Sequence, residues 1–515
     1  MPSAEKDVEA NPASEPMAAE AAVSQPHDEA ANPTRSTITS NSLSKIETNA
    51  SALYDSLPMW RKCMIVFVTS WATLAACFSS TSLLSASVEI AADLGGTKEA
   101  VSLSTGGVLL ALGSSPLIWS PVAAIIGRRA TYNICLLVLF GFTIGAALAP
   151  NMRVFIAMRV LSGLQGCYFH VAGQTILAEY FPPVQRGTAT GFFLGGTVLG
   201  PPLGPLVAGI MMTYSSWRSV LWLQVVMVGF AFILAVAFVP PSRLDKPGRS
   251  ALNLRGMEAV RQFNPLPIFQ QMKSRDIIFT HLSCGFLSWT QYSILASPRH
   301  ILVERFGLTS PLSSGLFYIA PATGFLVGTV IGGRYSDMTV RKFIKLRGER
   351  LPQDRLNSGV WPFFLIIPVA VLIYGWGLQY CNSCEAVKGG LALPIVTAFL
   401  AAAGLLAAFA SLNTYCAEAI PRKRREVIAG KYLVQYTFSA FASTCTVPLM
   451  EAIGIGPTAT IGAVLSVLAG CLTFATARHD VESDEDKGAK QADNWLRRVT
   501  KRRELLPTKK VFPIA

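Results

Sequence analysis

Charge is scarce in this chain. Only 15% of its 515 residues are Asp, Glu, Lys or Arg, whereas a water-soluble chain of this length needs roughly 25% to cover its surface. That shortage excludes an ordinary soluble globular protein. Histidine is scarcer still, at five residues, and no double pair of cysteines stands at zinc-finger spacing. A structural metal centre is therefore not expected. There is no glycine-rich loop ending in Lys-Ser/Thr, which excludes ATP drive through a phosphate cradle, and no Ser/His/Asp constellation marks an enzyme. Acids are missing where they would matter most, since no Asp or Glu occupies the middle third of any apolar run. The stretch at 1–50 is polar and opens with no early apolar segment, so a cleavable signal peptide is not expected.

What the chain has instead is apolar length. Hydrophobic residues make up 51% of it, in recurring runs of about 20 residues, each enough to cross a bilayer as a helix. Twelve such spans fall near 63–87, 100–119, 131–149, 154–176, 188–213, 220–239, 277–297, 312–331, 361–379, 391–415, 427–447 and 458–477. The reading is an all-α membrane protein of two six-helix halves. A disordered tail takes 1–58, the first bundle 59–239, a polar linker 240–275, the second bundle 276–477 and a second tail 478–515.

The net charge of +13 does not indicate nucleic-acid binding, because the basic residues lie between and after the spans rather than on one face. With the N-terminus inside, six fall on outer loops (Lys98, Arg153, Arg218, Arg299, Arg305, Lys388) and 21 on inner connections. This asymmetry predicts cytosolic termini. Cys381 and Cys384 then lie in an outer loop, as a local disulfide or as two free thiols.

Several motifs recur by position. After span two, Ser120 to Arg129 ends in Gly127, Arg128 and Arg129; after span eight, Gly333, Asp337, Arg341 and Lys342 occupy the equivalent place. Span four carries Arg159-x-x-x-Gly163-x-x-Gly166, and span five reads Gly196-x-x-x-Gly200-Pro201-Pro202-x-Gly204-Pro205. Together these resemble the major facilitator superfamily, and within it the fungal twelve-helix drug:proton antiporters. The resemblance covers about 60–477. It departs at Ser120 and Ala124, where the family loop has Gly and an acid, at Val340 and at Pro205.

The resemblance implies a major facilitator fold and a secondary transporter without cofactor. It would be a proton-coupled exporter of drugs or secondary metabolites, monomeric and in the plasma membrane, with the vacuolar membrane as the alternative. An organic-acid carrier, using Arg159 and Lys431 for a carboxylate, is the nearest competitor. A non-transporting sensor is the reading from another class. In relatives the loop after span two latches the bundles beside the start of span eleven. With Ala124 in place of its acid, the gate here is expected to shift to Asp337, Arg341 and Lys342.

The residues themselves point to a substrate and proton pathway. An Arg in the membrane is costly unless paired or hydrated, so Arg159 reads as cavity-facing, or else as a brace on backbone carbonyls. Gln165 and Gln174 share a broad stripe with it, while His170 sits to one side as a helix–helix hydrogen bonder. Glu89, at an outer span end, is the best remaining acid. Lys431 is read as snorkelling to the cytosolic surface. Trp289, Gln291, Tyr292, Asn413 and Gln435 are candidate cavity-lining residues. In span five, Gly196 and Gly200 allow close helix approach, and Pro201, Pro202 and Pro205 remove backbone donors and predict a kink.

Overall fold

The computed structural model describes residues 57–181, 183–240, 263–308, 310–348, 350–380, 390–420 and 423–478. The tails, the linker at 241–262 and the Cys381–Cys384 loop lie outside the described residues. Twelve long helices follow one another: α1 (Met59–Asp93), α2 (Glu99–Ile126), α3 (Arg128–Ala147), α4 (Met152–Tyr180), α5 (Pro183–Tyr214), α6 (Arg218–Phe238), α7 (Arg275–Ala296), α8 (Pro311–Leu346), α9 (Pro352–Tyr380), α10 (Ala392–Glu418), α11 (Arg424–Ile453) and α12 (Ile455–Arg478). Odd-numbered helices start at one face, here called the basic face for its Arg and Lys residues; even-numbered helices return to it.

Ten of the twelve carry a stretch apolar enough to cross a membrane by composition. The exceptions are α7 and α11, which are long enough at 22 and 30 residues but too polar. Their polar side chains are turned inward. Thr280, His281, Ser283, Ser288, Thr290 and Gln291 of α7 are buried, as are Lys431, Ser439, Ser443 and Thr446 of α11. A polar group facing lipid has no water to bond to, so helices of this composition belong inside a bundle.

Two separate apolar cores hold the halves. One draws its buried residues from α1 to α6 and is built around Phe78, Tyr132, Phe155, Phe169 and Phe193. The other draws them from α7 to α12, with Phe325, Phe363, Phe409 and Tyr415. Gly127 (φ 88°) and Gly454 (φ 96°) turn the chain sharply between α2 and α3 and between α11 and α12, in backbone conformations that other residues resist. Part of the linker is folded as well. The short helix Leu266–Gln271 packs on α11, and Ile268 joins the buried cluster with Ile428 and Ala429.

Small residues set helix spacing inside the halves. Gly324, Gly328 and Gly332 lay one face of α8 against the backbone of α10. A Cβ at Gly328 would lie 2.2 Å from the Ala403 carbonyl oxygen. Neither helix can yield there without separating. Gly328→Val should therefore block folding of the second half, seen as loss of the monodisperse protein on size exclusion; wild-type yield and melting temperature would show that α8 and α10 repack freely.

Candidate functional site

Where the two halves meet, α2 crosses α11 and α5 crosses α8. A third buried cluster fills the first seam: Leu109 and Leu112 of α2, Cys167 and Val171 of α4, Tyr292 of α7, and Ile428, Tyr432 and Tyr436 of α11. Gly113 lets α2 lie against Tyr436, whose Cβ would be 2.9 Å from a Cβ at that position.

Polar groups line this seam between its middle and the basic face. Lys431 is 2% exposed; its Nζ donates to Asn413 Oδ1 at 2.7 Å and sits 3.5 Å from the centroid of the Tyr432 ring. Gln174 Nε2 donates to the Tyr432 hydroxyl at 3.1 Å, so α4 of one half is bonded to α11 of the other. The His170 ring lies 4.7 Å from Tyr432. Its Nδ1 is 3.4 Å from the Gly166 carbonyl and its Nε2 is 3.4 Å from Cys77 Sγ. A carbonyl can only accept, so Nδ1 carries the hydrogen and Nε2 accepts from the thiol. Tyr436 stands 3.9 Å from the same sulfur and 6.5 Å, ring to ring, from Tyr292.

His170, Gln174, Tyr292, Asn413 and Lys431 are thus gathered in one place. The snorkelling expectation for Lys431 is corrected: its ammonium finds an amide oxygen and a ring face nearby and stays inside. The helical stripe along α4 is also corrected. The helix breaks between Gly163 and Gly166, which resets its phase, so His170 joins Gln174 at Tyr432. Gln165 lies at that break, buried, with its Oε1 unpartnered. Gln291 is buried on α7, and Gln435 on α11 is half-buried with an unpartnered Oε1. Sequence reading missed Tyr432, Tyr436, Cys77 and His281, whose ring packs against Gly430. The available signal was the polarity of α7 and α11 themselves.

Arg159 is placed elsewhere. It is 3% exposed, stacks 5.7 Å from the Phe155 ring, and donates through Nη2 to the Ser79 carbonyl at 3.1 Å. Just beyond Ser79, α1 passes into a 3-10 turn at Ser82–Ala86. In this conformation Arg159 braces α1 at that turn, and its Nη1 is unpartnered.

The face opposite the basic one is held shut between the halves. Glu89 Oε1 accepts from Arg299 Nη2 at 2.7 Å, and Arg299 also bonds the Ser85 carbonyl. The solvated-end alternative for Glu89 therefore gives way to a bridge between α1 and the short helix Pro298–Phe306. Beside it, Gly209 of α5 and Gly315 of α8 touch through their backbones, and a Cβ at Gly209 would lie 2.6 Å from Gly315 Cα.

On the basic face the expected gate residues pair within their own bundle in this conformation. Asp337 Oδ1 accepts from Arg355 Nη1 at 2.7 Å, and Arg355 reaches Glu418 at 3.3 Å, while Arg350 meets Glu418 at 2.9 Å. All four residues belong to the second half, so Asp337 ties α8 to α9 and α10 instead of latching the halves. Arg355 is brought to Asp337 by the 3-10 turn Pro352–Gly359 that opens α9. Arg341 and Lys342 are exposed, and Gly333 has open space around its Cα. In the first half Arg128 pairs with Glu179 at 2.6 Å and Arg129 donates to the Val236 carbonyl. The motif loops are equivalent braces within their own bundles.

Gly196, Gly200 and Gly204 of α5 face α1. A Cβ on each would stand 2.1 Å from Ser70 Oγ, 2.5 Å from Cys77 Cβ and 2.8 Å from Ser82 N. Pro201, Pro202 and Pro205 lie inside one continuous helix. Pro205 has no N–H to bond the Pro201 carbonyl, and Thr81 Oγ1 donates to that carbonyl at 2.8 Å; Ser85 Oγ reaches the Pro205 carbonyl at 3.2 Å.

Two six-helix halves meeting at a polar seam match known proteins. The family model of the Major Facilitator Superfamily matches residues 69–444. The chain belongs to the Major Facilitator Superfamily. Among curated members of that superfamily it is similar to the MFS antiporter QDR3 of Candida albicans, 24% identical, covering 81% of this chain and 76% of that protein. It is also similar to the efflux pump radE of Floropilus chiversii (26% identical; 68% and 67% covered) and to the efflux pump FUB11 of Gibberella moniliformis (23% identical; 81% and 72% covered). Among solved superfamily structures, the proton:xylose symporter XylE aligns with a TM-score of 0.59 at 15% identity, over 81% of this chain and 96% of that one. The protein is a multi-pass membrane transporter of the twelve-helix major facilitator fold, and its substrates are small molecules bound within the membrane.

Proposed function

We propose that this transporter is a proton-coupled exporter of small organic molecules, with its substrate bound in the seam between the halves. The observation that carries the reading is the buried seam cluster of Lys431, Asn413, Gln174, His170, Tyr432 and Tyr436, whose bonds join α4 to α11 across the two bundles. A group bound there is contacted by both halves, so its arrival and departure bias their relative position. Aromatic rings beside amides and one cation suit moderately polar organic ligands. Efflux and antiport in the names of the relatives support the outward direction.

We take the basic face as cytosolic, from the excess of Lys and Arg on its connections, with both termini on that side; the proposed form is a monomer in the plasma membrane. The Glu89–Arg299 bridge then closes the external face, and Glu89, partly exposed there, is a carboxylate that external protons can reach.

Cells lacking the protein and cells overproducing it should differ in retention of an aromatic compound panel. Overproducers should hold several-fold less of the transported members, and a protonophore should erase the difference. Faster accumulation in overproducers, or a difference untouched by the protonophore, would overturn export or proton coupling respectively.

A further inference from the structure

We propose that the transported molecule carries a carboxylate or an equivalent organic anion, and that Lys431 is the group that receives it. This rests on the reading of the seam as the substrate site and adds to it the charge class of the cargo.

The charge balance of the described residues leads there. Two cations are buried deep within the spans, Arg159 at 3% exposure and Lys431 at 2%, while a third, Lys62, is buried in the first turn of α1 at the basic face. Neither of the deep two enters an ion pair. Lys431 meets an amide oxygen and a ring face, and Arg159 a backbone carbonyl and the Phe155 ring. The acids nearest the span ends are already engaged by arginines: Glu89 by Arg299, Asp93 by Arg218, Glu179 by Arg128, Asp337 and Glu418 by Arg355. Asp276, itself buried, and Glu426 sit in the first turns of α7 and α11, toward the basic face, and neither pairs with Lys431. The Lys431 ammonium is therefore buried without a paired counter-charge.

A buried cation with only neutral partners is short of the interactions that water gave it, and a carboxylate supplies them in full. A cationic cargo at the same place meets repulsion, and a neutral one leaves the deficit unchanged. The surroundings favour an anion with an apolar body. Next to the ammonium stand the Gln174 and Asn413 amides and the Tyr432 hydroxyl, able to hold a second oxygen. The rings of His170, Tyr432, Tyr436 and Tyr292 offer faces for an aromatic or alkyl chain. Lys431 reaches both groups because it lies one position before Tyr432 on α11, whose bond to Gln174 crosses the seam.

The test uses purified full-length protein in lipid nanodiscs and three probes on one scaffold: 3-phenylpropanoate, 3-phenylpropanamide and 3-phenylpropylammonium. Binding is read by calorimetry. The carboxylate should bind tightest and the ammonium weakest. Lys431→Gln should weaken the carboxylate roughly 10- to 100-fold, the range for losing a charge-assisted hydrogen bond, and leave the amide unchanged. Lys431→Arg should keep carboxylate affinity within a few-fold, and unchanged amide binding certifies that each variant is folded. An ammonium or amide that binds as well as the carboxylate overturns the proposal, as does full carboxylate affinity in Lys431→Gln or no carboxylate binding at all. Proteoliposomes separate this from the export reading. If the carboxylate binds through Lys431 but moves only toward the basic face, export fails and the anion site stands.

Discussion

Replacing Gly209 with leucine is expected to abolish transport while leaving both bundles folded. Gly209 and Gly315 belong to different halves, and their backbones touch on the face opposite the basic one. A Cβ at 209 would already stand 2.6 Å from Gly315 Cα and from the Pro311 carbonyl oxygen. Main-chain atoms on both sides leave no flexible side chain to step aside. The added branch can be accommodated only by parting α5 from α8, which keeps that face open. Overpacking a tight contact costs about 1–3 kcal/mol, enough to reverse a conformational balance of similar size. The check is a cysteine pair introduced across the same face: its crosslinking should fall at least several-fold in Gly209→Leu with unchanged expression. Wild-type turnover in the leucine variant would mean that the two helices do not need to meet in the cycle.

Arg159→Ala should also remove transport, by a different route. The guanidinium holds the Ser79 carbonyl just before α1 enters its 3-10 turn, and α1 beyond that turn carries Ser85 and Glu89, the two groups bound by Arg299. Without the brace the bridge loses its registration. We expect at least a 100-fold drop in transport rate with protein level and membrane targeting retained. Arg159→Lys should recover little, because one ammonium cannot both stack on Phe155 and reach the carbonyl as a planar fork does. Arg159→Ala with normal transport would show that the α1 turn holds without its brace.

Much of the architecture was legible in the sequence because the bilayer imposes a length on each span. Ten helices are apolar enough by composition alone, and the more polar α7 and α11 still read as runs near 277–297 and 427–447. The site was legible residue by residue but not as a group. His170, Gln174, Asn413 and Lys431 stand out as polar residues within apolar runs. Depth alone, however, cannot say which way Lys431 turns, and its burial depends on Asn413, 18 residues away on α10. Tyr432 escaped attention because an aromatic near a span end reads as an interfacial anchor, and Tyr436 because a lone aromatic within an apolar run reads as packing. Asp337 was assigned across the halves because position in a motif does not reveal that Arg355 stands beside it.

The proline-rich stretch of α5 has a mechanical consequence. A helix normally spends its carbonyls on itself, and so slides past its neighbours with only side chains to shear. Here the missing N–H of Pro205 hands the Pro201 carbonyl to Thr81, and the glycine notch brings Ser82 to the same level. The outer half of α1 is thereby stitched to α5 main chain to side chain, with little slip at the joint. The two helices form one lever, so that displacement of α5 against α8 is delivered undiminished to the α1 end that Arg299 grips.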